Sequence, residues 1–337
     1  MKESYLYKKM SGNQVECQTC SHYCNLAPGK RGICGVRENI DGKLYALNYD
    51  KVITYNIDPI EKKPIFHYLP GTNTFSFSTV GCNFRCDNCQ NWDISQGPKK
   101  SNTILGEKIS PNELVNLAKK SNCKSISYTY TEPTIFLELA LNTMKIAKNE
   151  GLKNIWVSNG FMSKKSFELA SPYIDAINID LKFFDNEQYK KITGGRLDPV
   201  LENLKRFKKA GIFLEVTTLA IPTLSDSPEM FTKISKFIKD ELGPDTPWHI
   251  SAFSGEISWK LQHLPPTPVE IIKRAYQIGK EAGLKYVYTG NIFGDSGENT
   301  YCPKCNEKVI ERFGYTIKRF DKNANCPKCN EKITIIL

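Results

Sequence analysis

Three cysteines within eight residues constrain this chain more than any other feature. The run Cys82-Asn-Phe-Arg-Cys86-Asp-Asn-Cys89 has the spacing C-x3-C-x2-C and follows an apolar, β-prone stretch over residues 75–80. Three thiolates at this spacing suit the corners of an iron–sulfur cube better than a tetrahedral zinc ion, which needs four ligands. Such a cluster leaves one iron open to a small molecule. The alternatives are three buried structural cysteines, or part of a zinc site completed from elsewhere.

The remaining cysteines form two further groups. Of the 12 cysteines, all but Cys123 lie in three tight clusters, which is typical of metal sites in a reducing compartment. Near the C-terminus two C-x2-C knuckles, Cys302/Cys305 and Cys326/Cys329, predict structural zinc, with a rubredoxin-like iron as the alternative. The N-terminal group, which we call the quartet, suits zinc or an auxiliary 4Fe–4S cluster equally well; its members are Cys17, Cys20, Cys24 and Cys34.

The length and the segment pattern indicate one large α/β domain with small additions. The chain has 337 residues, enough for such a domain and one or two modules. We expect an N-terminal Cys-rich module and connector over residues 1–70, a core over 71–295 and a knuckle module over 296–337.

The core alternates short β-branched or aromatic runs with longer amphipathic ones. This alternation predicts βαβ units around a parallel sheet, and six or seven units predict a partial or full (β/α) barrel. The predicted strands are 74–80, 125–130, 154–158, 176–181, 213–219, 249–253 and 286–289.

Polar residues recur where these strands end, which is where (β/α) barrels gather function. They include Glu132 after the second strand, Ser158-Asn159 after the third and Asp180-Leu-Lys182 at the fourth. We also expect His249 of the sixth strand in this set, although a lone histidine on a strand is more often a packed core residue.

With these motifs the chain resembles the radical SAM superfamily, in the branch near pyruvate formate-lyase activating enzymes. It also resembles, over nearly its whole length, the radical SAM member of the AmmeMemoRadiSam system. The wider likeness includes the N-terminal cysteines, the run Asp58-Pro-Ile-Glu-Lys-Lys-Pro-Ile-Phe-His67, the triplet and both knuckles. The fold expected from this resemblance is a partial (β/α)6-type radical SAM barrel with small Cys-rich metal-binding modules at both termini.

The resemblance also implies a chemistry. Cys82, Cys86 and Cys89 would hold three irons of a 4Fe–4S cluster, and the fourth iron would bind S-adenosylmethionine. One electron would then cleave the sulfonium, giving methionine and a 5′-deoxyadenosyl radical that removes hydrogen from an unidentified substrate.

The same resemblance assigns cofactor-binding residues. Glu132 would face the methionine ammonium, although Tyr130 and Thr131 replace the two glycines of the family pattern. Asn159 would contact the ribose. The full set of expected cofactor-binding residues is Glu132, Ser158, Asn159, Asp180, Lys182 and His249. The alternatives are a helix start for Glu132, an Asn-Gly turn for Asn159 and an internal salt bridge for Asp180 and Lys182.

Composition adds weaker expectations about partners and location. The formal net charge of +10 favours an acidic or macromolecular partner, such as RNA or a protein. No apolar run is long enough to span a membrane, and the N-terminus has no signal-like core, so we expect a cytoplasmic enzyme without membrane contact. A ferredoxin or flavodoxin is the expected electron donor. The alternative functions are a glycyl-radical enzyme activase acting on a partner protein, and a non-catalytic iron–sulfur or zinc protein that binds nucleic acid.

Overall fold

Short strands dominate the first fifty residues. The computed structural model describes residues 1–337. Two three-stranded antiparallel sheets, ordered β1-β6-β5 and β2-β3-β4, occupy this region. Their strands are β1 (Lys2–Glu3), β2 (Tyr7–Lys9), β3 (Val15–Cys17), β4 (Asn25–Leu26), β5 (Arg37–Ile40) and β6 (Lys43–Ala46).

A nine-stranded sheet forms the centre of the molecule. Its order is β15-β14-β13-β12-β11-β10-β8-β7-β9. Seven of these strands, β8 and β10 to β15, run parallel to one another. Its strands are β7 (Lys51–Pro59), β8 (Asn73–Thr79), β9 (Glu107–Lys108), β10 (Ser125–Tyr128), β11 (Lys153–Ser158), β12 (Ala176–Asp180), β13 (Phe213–Ala220), β14 (Trp248–Ala252) and β15 (Val287–Gly290). The edge strands β9 and β15 do not pair, so the barrel is open. The predicted partial barrel is confirmed.

Each successive pair of parallel strands is connected through at least one helix. The helices are α1 (Trp92–Ser101), α2 (Pro111–Lys120), α3 (Leu137–Asn149), α4 (Lys164–Ala170), α5 (Asn186–Gln188), α6 (Leu197–Lys209), α7 (Pro228–Phe237) and α8 (Val269–Glu281). Helix α2 begins with Pro111 in its first turn and a capping box in which Ser110 and Glu113 satisfy each other's backbone N–H groups. The parallel strands thus all place their carboxyl ends at one side of the sheet, which we call the carboxyl edge.

Helix α1 was not predicted, because Gly97 and Pro98 lie inside it. Proline has no N–H, so it cannot donate to the carbonyl oxygen four residues earlier, that of Ile94. The Gly81 N–H donates to this oxygen instead, at 2.9 Å. The carbonyl group that Pro98 leaves without its helical partner therefore links α1 to the residue before Cys82.

The amino end of the barrel is closed by residues 60–72, which we call the floor segment. Its Ile60, Ile65 and Tyr68 pack against Ile155 near the start of β11 and Ala176 at the start of β12. In β13, the buried Glu215 carboxylate accepts hydrogen bonds from the backbone N–H groups of Phe66 and His67, both at 2.9 Å. The floor segment is therefore held by both apolar packing and a carboxylate inside the barrel.

The C-terminal region forms a small antiparallel sheet of β16 (Thr300–Tyr301), β17 (Lys308–Phe313) and β18 (Thr316–Arg319). Its buried Val309, Ile310 and Ile333 pack against Tyr286 and Tyr288 of the barrel. Ile336 also pairs with Tyr68 of the floor segment. The division at residues 70 and 295 stays a prediction, and β7 from the first of these regions adds a strand to the central sheet.

No helix has both the length and the apolar character that a membrane crossing requires.

Candidate functional site

The cysteine triplet lies at the carboxyl edge, in the loop between β8 and α1. Cys82, Cys86 and Cys89 are partly buried, and the Cys89 N–H donates to the Cys86 carbonyl at 3.1 Å. Burial raises the pKa of the Cys82 thiol to about 12, and the nearby Cys89 contributes to that rise. Metal binding releases the protons of such thiols, because the thiolate is the form that ligates the metal.

The spacing of these sulfurs does not suit one ion. Zn–S bonds of about 2.3 Å put the sulfurs of a tetrahedral site about 3.8 Å apart. In this chain only the C-terminal knuckle cysteines bring three or more His, Cys, Asp or Glu ligand atoms within 4.8 Å of one another. The three triplet sulfurs do not all lie within that distance of one another, which is compatible with each thiolate binding a different iron of a cluster. The residues therefore fit a 4Fe–4S cluster.

The loop that carries the triplet is fastened by backbone hydrogen bonds to the turn after α5. The N–H groups of Arg85 and Asp87 donate to the carbonyls of Thr193 (2.8 Å) and Ile192 (3.0 Å). Lys99 also donates to the Phe84 carbonyl at 2.9 Å. These contacts hold the three cysteines in place before any metal arrives, which is the preorganisation that a metal site needs.

Three of the expected cofactor-binding residues meet at one point beside the triplet. The Glu132 carboxylate accepts from the Asn159 N–H at 2.8 Å and from the Ser158 hydroxyl at 2.9 Å. The Asn159 side chain in turn donates to Asn83 Oδ1 at 2.8 Å. Burial raises the pKa of Glu132, although hydrogen bonds from Thr134, Asn159 and Ser158 oppose the rise. The carboxylate thus joins the loops after β10 and β11 to the triplet loop.

Asp180 and Lys182 form the internal salt bridge that we considered as an alternative, with Nζ 2.8 Å from Asp180 Oδ2. Burial alone would lower the pKa of Lys182, but Asp180 and Cys86 raise it above its ordinary value. The ammonium group therefore stays charged next to the triplet. The side chains of the pair remain partly exposed, so it can also face a ligand.

The expectation that His249 lies where its strand ends was wrong. His249 is the second residue of β14, and its Nε2 is 2.6 Å from Glu215 Oε2. Its ring packs edge-on against Phe66 of the floor segment, with centroids 4.6 Å apart. This histidine is a buried partner of the carboxylate that holds the floor segment. It is therefore a packed core residue, which was the alternative given for a lone histidine on a strand.

The two outer cysteine groups differ in geometry. In the knuckles, Cys302 Sγ is 3.6 Å from Cys329 Sγ, and Cys305 Sγ is 3.6 Å from Cys326 Sγ, which matches the edge of a tetrahedral single-ion site. The quartet instead lines a pocket together with His22 and Arg37. Both groups can hold a metal, and only the knuckles have single-ion spacing.

Sequence reasoning missed Asn83 and the segment after β14. Asn83 is buried and joins Asn159 to the triplet loop. Trp259 stacks on Trp92 with centroids 6.5 Å apart, and Lys260 pairs with Asp87 at 2.8 Å. No local pattern marks these residues, because their partners lie more than 70 positions away along the chain.

Comparisons with known proteins agree with this site. The Radical SAM superfamily model matches residues 76–237. An uncharacterised protein of Methanocaldococcus jannaschii is 45% identical over 318 residues, 94% of this chain and 93% of that protein. The pyruvate formate-lyase-activating enzyme of Clostridium pasteurianum is 24% identical over 177 residues, 51% of this chain and 71% of that enzyme.

Among solved structures, a radical SAM methyltransferase from Sphaerobacter thermophilus is similar in fold. It has a TM-score of 0.51 at 14% identity, and the match covers 65% of this chain and 66% of that one. The residues matched by the superfamily model contain the triplet, Glu132, Asn159 and Lys182, and they exclude both outer cysteine groups.

Proposed function

Because the chain belongs to the radical SAM superfamily and is an enzyme of that class, we propose that Cys82, Cys86 and Cys89 hold the 4Fe–4S cluster that binds S-adenosylmethionine. When bound, the cluster and S-adenosylmethionine supply a 5′-deoxyadenosyl radical able to remove hydrogen from an unactivated position. The observation that supports this assignment most is that three partly buried cysteines lie together on one loop at the carboxyl edge, without the single-ion spacing of the knuckles.

The surrounding residues orient and shield the reactive groups. Glu132 holds the loops after β10 and β11 against Asn83 of the triplet loop, so the side of the site that would receive the methionine group is rigid. Lys182, kept charged by Asp180, balances negative charge beside Cys86. Phe84 is fully buried and packs on Phe161, with centroids 5.1 Å apart, behind the cysteines. This apolar backing excludes water from one side of the site.

The proposal also extends to the class of substrate. The likeness to a pyruvate formate-lyase-activating enzyme supports a protein substrate and a separate redox partner, such as a ferredoxin or flavodoxin. An activase of a glycyl-radical enzyme is therefore the second candidate function. The net charge of +10 is equally compatible with another acidic macromolecule. The narrower likeness to the AmmeMemoRadiSam enzyme stays a prediction.

For the knuckles we propose zinc. Sulfur distances of 3.6 Å suit a tetrahedral ion, and so small a module has too little apolar core to fold without a metal. Iron in a rubredoxin-like site is compatible with the same geometry, so metal analysis must distinguish the two.

The decisive experiment is S-adenosylmethionine cleavage by the anaerobically reconstituted chain. With dithionite as reductant we expect 5′-deoxyadenosine and methionine, measured by liquid chromatography. Cys86→Ala should abolish both products. The matched control is Cys123→Ala, which removes a cysteine outside the three clusters and should leave turnover unchanged. Absence of cleavage, with a reduced 4Fe–4S cluster verified by electron paramagnetic resonance, would refute the proposal.

A further inference from the structure

We propose that the quartet of Cys17, Cys20, Cys24 and Cys34 holds a second 4Fe–4S cluster, and not a zinc ion. These residues lie outside the part of the chain that matches the superfamily model, residues 76–237. Their C-x2-C-x3-C spacing with a distant fourth cysteine is compatible with either metal centre, so the tertiary structure has to distinguish them.

The distance between the quartet sulfurs is the first argument, and it can be compared with the sulfur distances in the knuckles and the triplet of the same chain. The knuckle cysteines form the one set in the molecule whose ligand atoms all lie within 4.8 Å of one another. No three sulfurs of the quartet meet this limit, and neither do the three of the triplet. One zinc ion requires sulfurs about 3.8 Å apart, whereas a cubic cluster places each thiolate on a separate iron. The quartet therefore resembles the triplet and differs from the knuckles.

The quartet sulfurs are nevertheless directed at one place. All four cysteines line a single pocket. A Cβ atom built on Gly32 would lie 3.8 Å from Cys24 Sγ and 3.9 Å from Cys34 Sγ, so Gly32 lies against both sulfurs. Cys17, Cys20 and Cys34 are buried. Four convergent cysteine side chains, no three of which bring their sulfurs within 4.8 Å of one another, suit a centre larger than one atom.

A buried cation supplies the second, independent argument. Arg37 lines the same pocket and is 1% exposed. Its two terminal nitrogens bind Glu138 at 2.9 and 2.7 Å, but its Nε has no hydrogen-bond partner. A buried donor without an acceptor is costly. Thiolates around either metal centre offer such an acceptor, but a 4Fe–4S cluster adds its inorganic sulfides to them and so presents more sulfur acceptors to the pocket; hydrogen bonds to sulfur are one means by which proteins tune cluster potentials.

The quartet lies directly beside the triplet loop. The His22 ring nitrogen Nε2 is 2.9 Å from the Asn83 carbonyl oxygen in the triplet loop. Gly81, with φ of +98°, has no room for a side chain because a Cβ there would lie 2.9 Å from the Cys34 carbonyl oxygen. The backbones beside Cys34 and Cys82 are thus in direct contact. A second cluster at the quartet would lie next to the one that the proposed function assigns to the triplet.

The test uses the full chain with Cys82, Cys86 and Cys89 all replaced by Ala, purified anaerobically and reconstituted with iron and sulfide. We expect about four irons and four sulfides per chain to remain, with a reduced-cluster signal in electron paramagnetic resonance. Adding Cys17→Ala and Cys20→Ala to this variant should remove that iron, whereas adding Cys123→Ala should not. Two zinc ions per chain and no iron in the triplet variant would overturn the proposal.

If the triplet variant does not fold, the unaltered chain still gives an answer. It should contain about eight irons and one zinc under this proposal, against about four irons and two zincs if the quartet binds zinc. Neither measurement depends on S-adenosylmethionine cleavage. A failure of the proposed function and a failure of this inference are therefore distinguishable.

Discussion

Glu132 illustrates, at the scale of single residues, how one side chain can serve both structure and ligand binding. Its carboxylate already accepts hydrogen bonds from Thr134, Ser158 and Asn159, and it is 3% exposed. The sequence predicted Glu132, Ser158 and Asn159 as members of one site, and the structure brings them into direct contact.

We predict that Glu132→Gln weakens S-adenosylmethionine binding to the cluster-loaded chain at least ~10-fold. Glutamine retains an acceptor for the loop N–H groups but lacks the charge, and a hydrogen bond to a charged group contributes ~1.5–3 kcal/mol. Equilibrium dialysis measures the Kd, and thermal unfolding monitors the fold. Glu113→Gln, at the exposed cap of α2, is the control. An unchanged Kd together with a lower melting temperature would reduce Glu132 to a purely structural role.

Glu298 should make stability depend on pH. Burial raises the pKa of Glu298 to about 7 from an ordinary 4.5, and Asp295 adds to the rise; its Oε2 has no hydrogen-bond partner. The folded chain therefore binds this proton more tightly than the unfolded chain does. This contribution to stability is fully present below pH 4.5 and is lost as the pH rises through about 7.

Glu298→Gln is expected to remove that dependence. The variant should melt at a higher temperature than the unaltered chain at pH 8, and the difference should shrink towards pH 5. Anaerobic melting curves across this range provide the measurement. A difference in melting temperature that is the same at both ends of the range would show that the Glu298 carboxyl does not titrate there.

At the scale of elements, the seven predicted core strands are confirmed to within two residues at each end, and the errors elsewhere have physical causes. The seven parallel strands were readable because buried strands are short, apolar and separated by amphipathic helices. Helix α1 was missed because Pro98 normally breaks a helix, and the compensating bond from Gly81 to Ile94 comes from another element. His249 was misplaced because its strand begins at Trp248 and its ring turns towards the floor segment.

The floor segment depends on a single carboxylate in β13. We predict that Glu215→Ala destabilises the chain by ~2–5 kcal/mol, because it leaves the buried N–H groups of Phe66 and His67 without an acceptor and His249 without its partner. Denaturant titration gives this value. Glu215→Gln, which retains one carbonyl oxygen, should lose less. Equal losses for the two variants would mean that packing, and not hydrogen bonding, holds the segment.

At the scale of the whole molecule, the two cysteine-rich ends occupy opposite ends of the barrel. The quartet adjoins the triplet loop at the carboxyl edge through His22 and Asn83. The knuckle module packs on Tyr286 and Tyr288 and pairs with the floor segment through Ile336. The first end is placed to influence the chemistry, and the second is placed to stabilise the barrel.

Removing one knuckle ligand tests this division. We predict that Cys326→Ala loses about one zinc per chain while the iron content stays unchanged. Amide hydrogen exchange should accelerate at Val309, Ile310 and Ile333, and in the floor segment, because the small module folds only around its metal. Elemental analysis and mass-spectrometric exchange measure both effects. Loss of one iron with no change in zinc would instead indicate a rubredoxin-like knuckle site.

The order of strands and helices, the three cysteine groups and the superfamily follow from the linear chain, because periodicity and ligand spacing are local properties. The type of metal centre at the quartet does not follow from the linear chain. Cys17 and Cys34 come together only after the intervening turns pack, and that packing sets the distances between the sulfurs. The same holds for the meeting of Asn83 with Asn159 and of Glu215 with His249. Each is a contact between side chains distant along the chain, which the folding of the barrel brings within hydrogen-bond range.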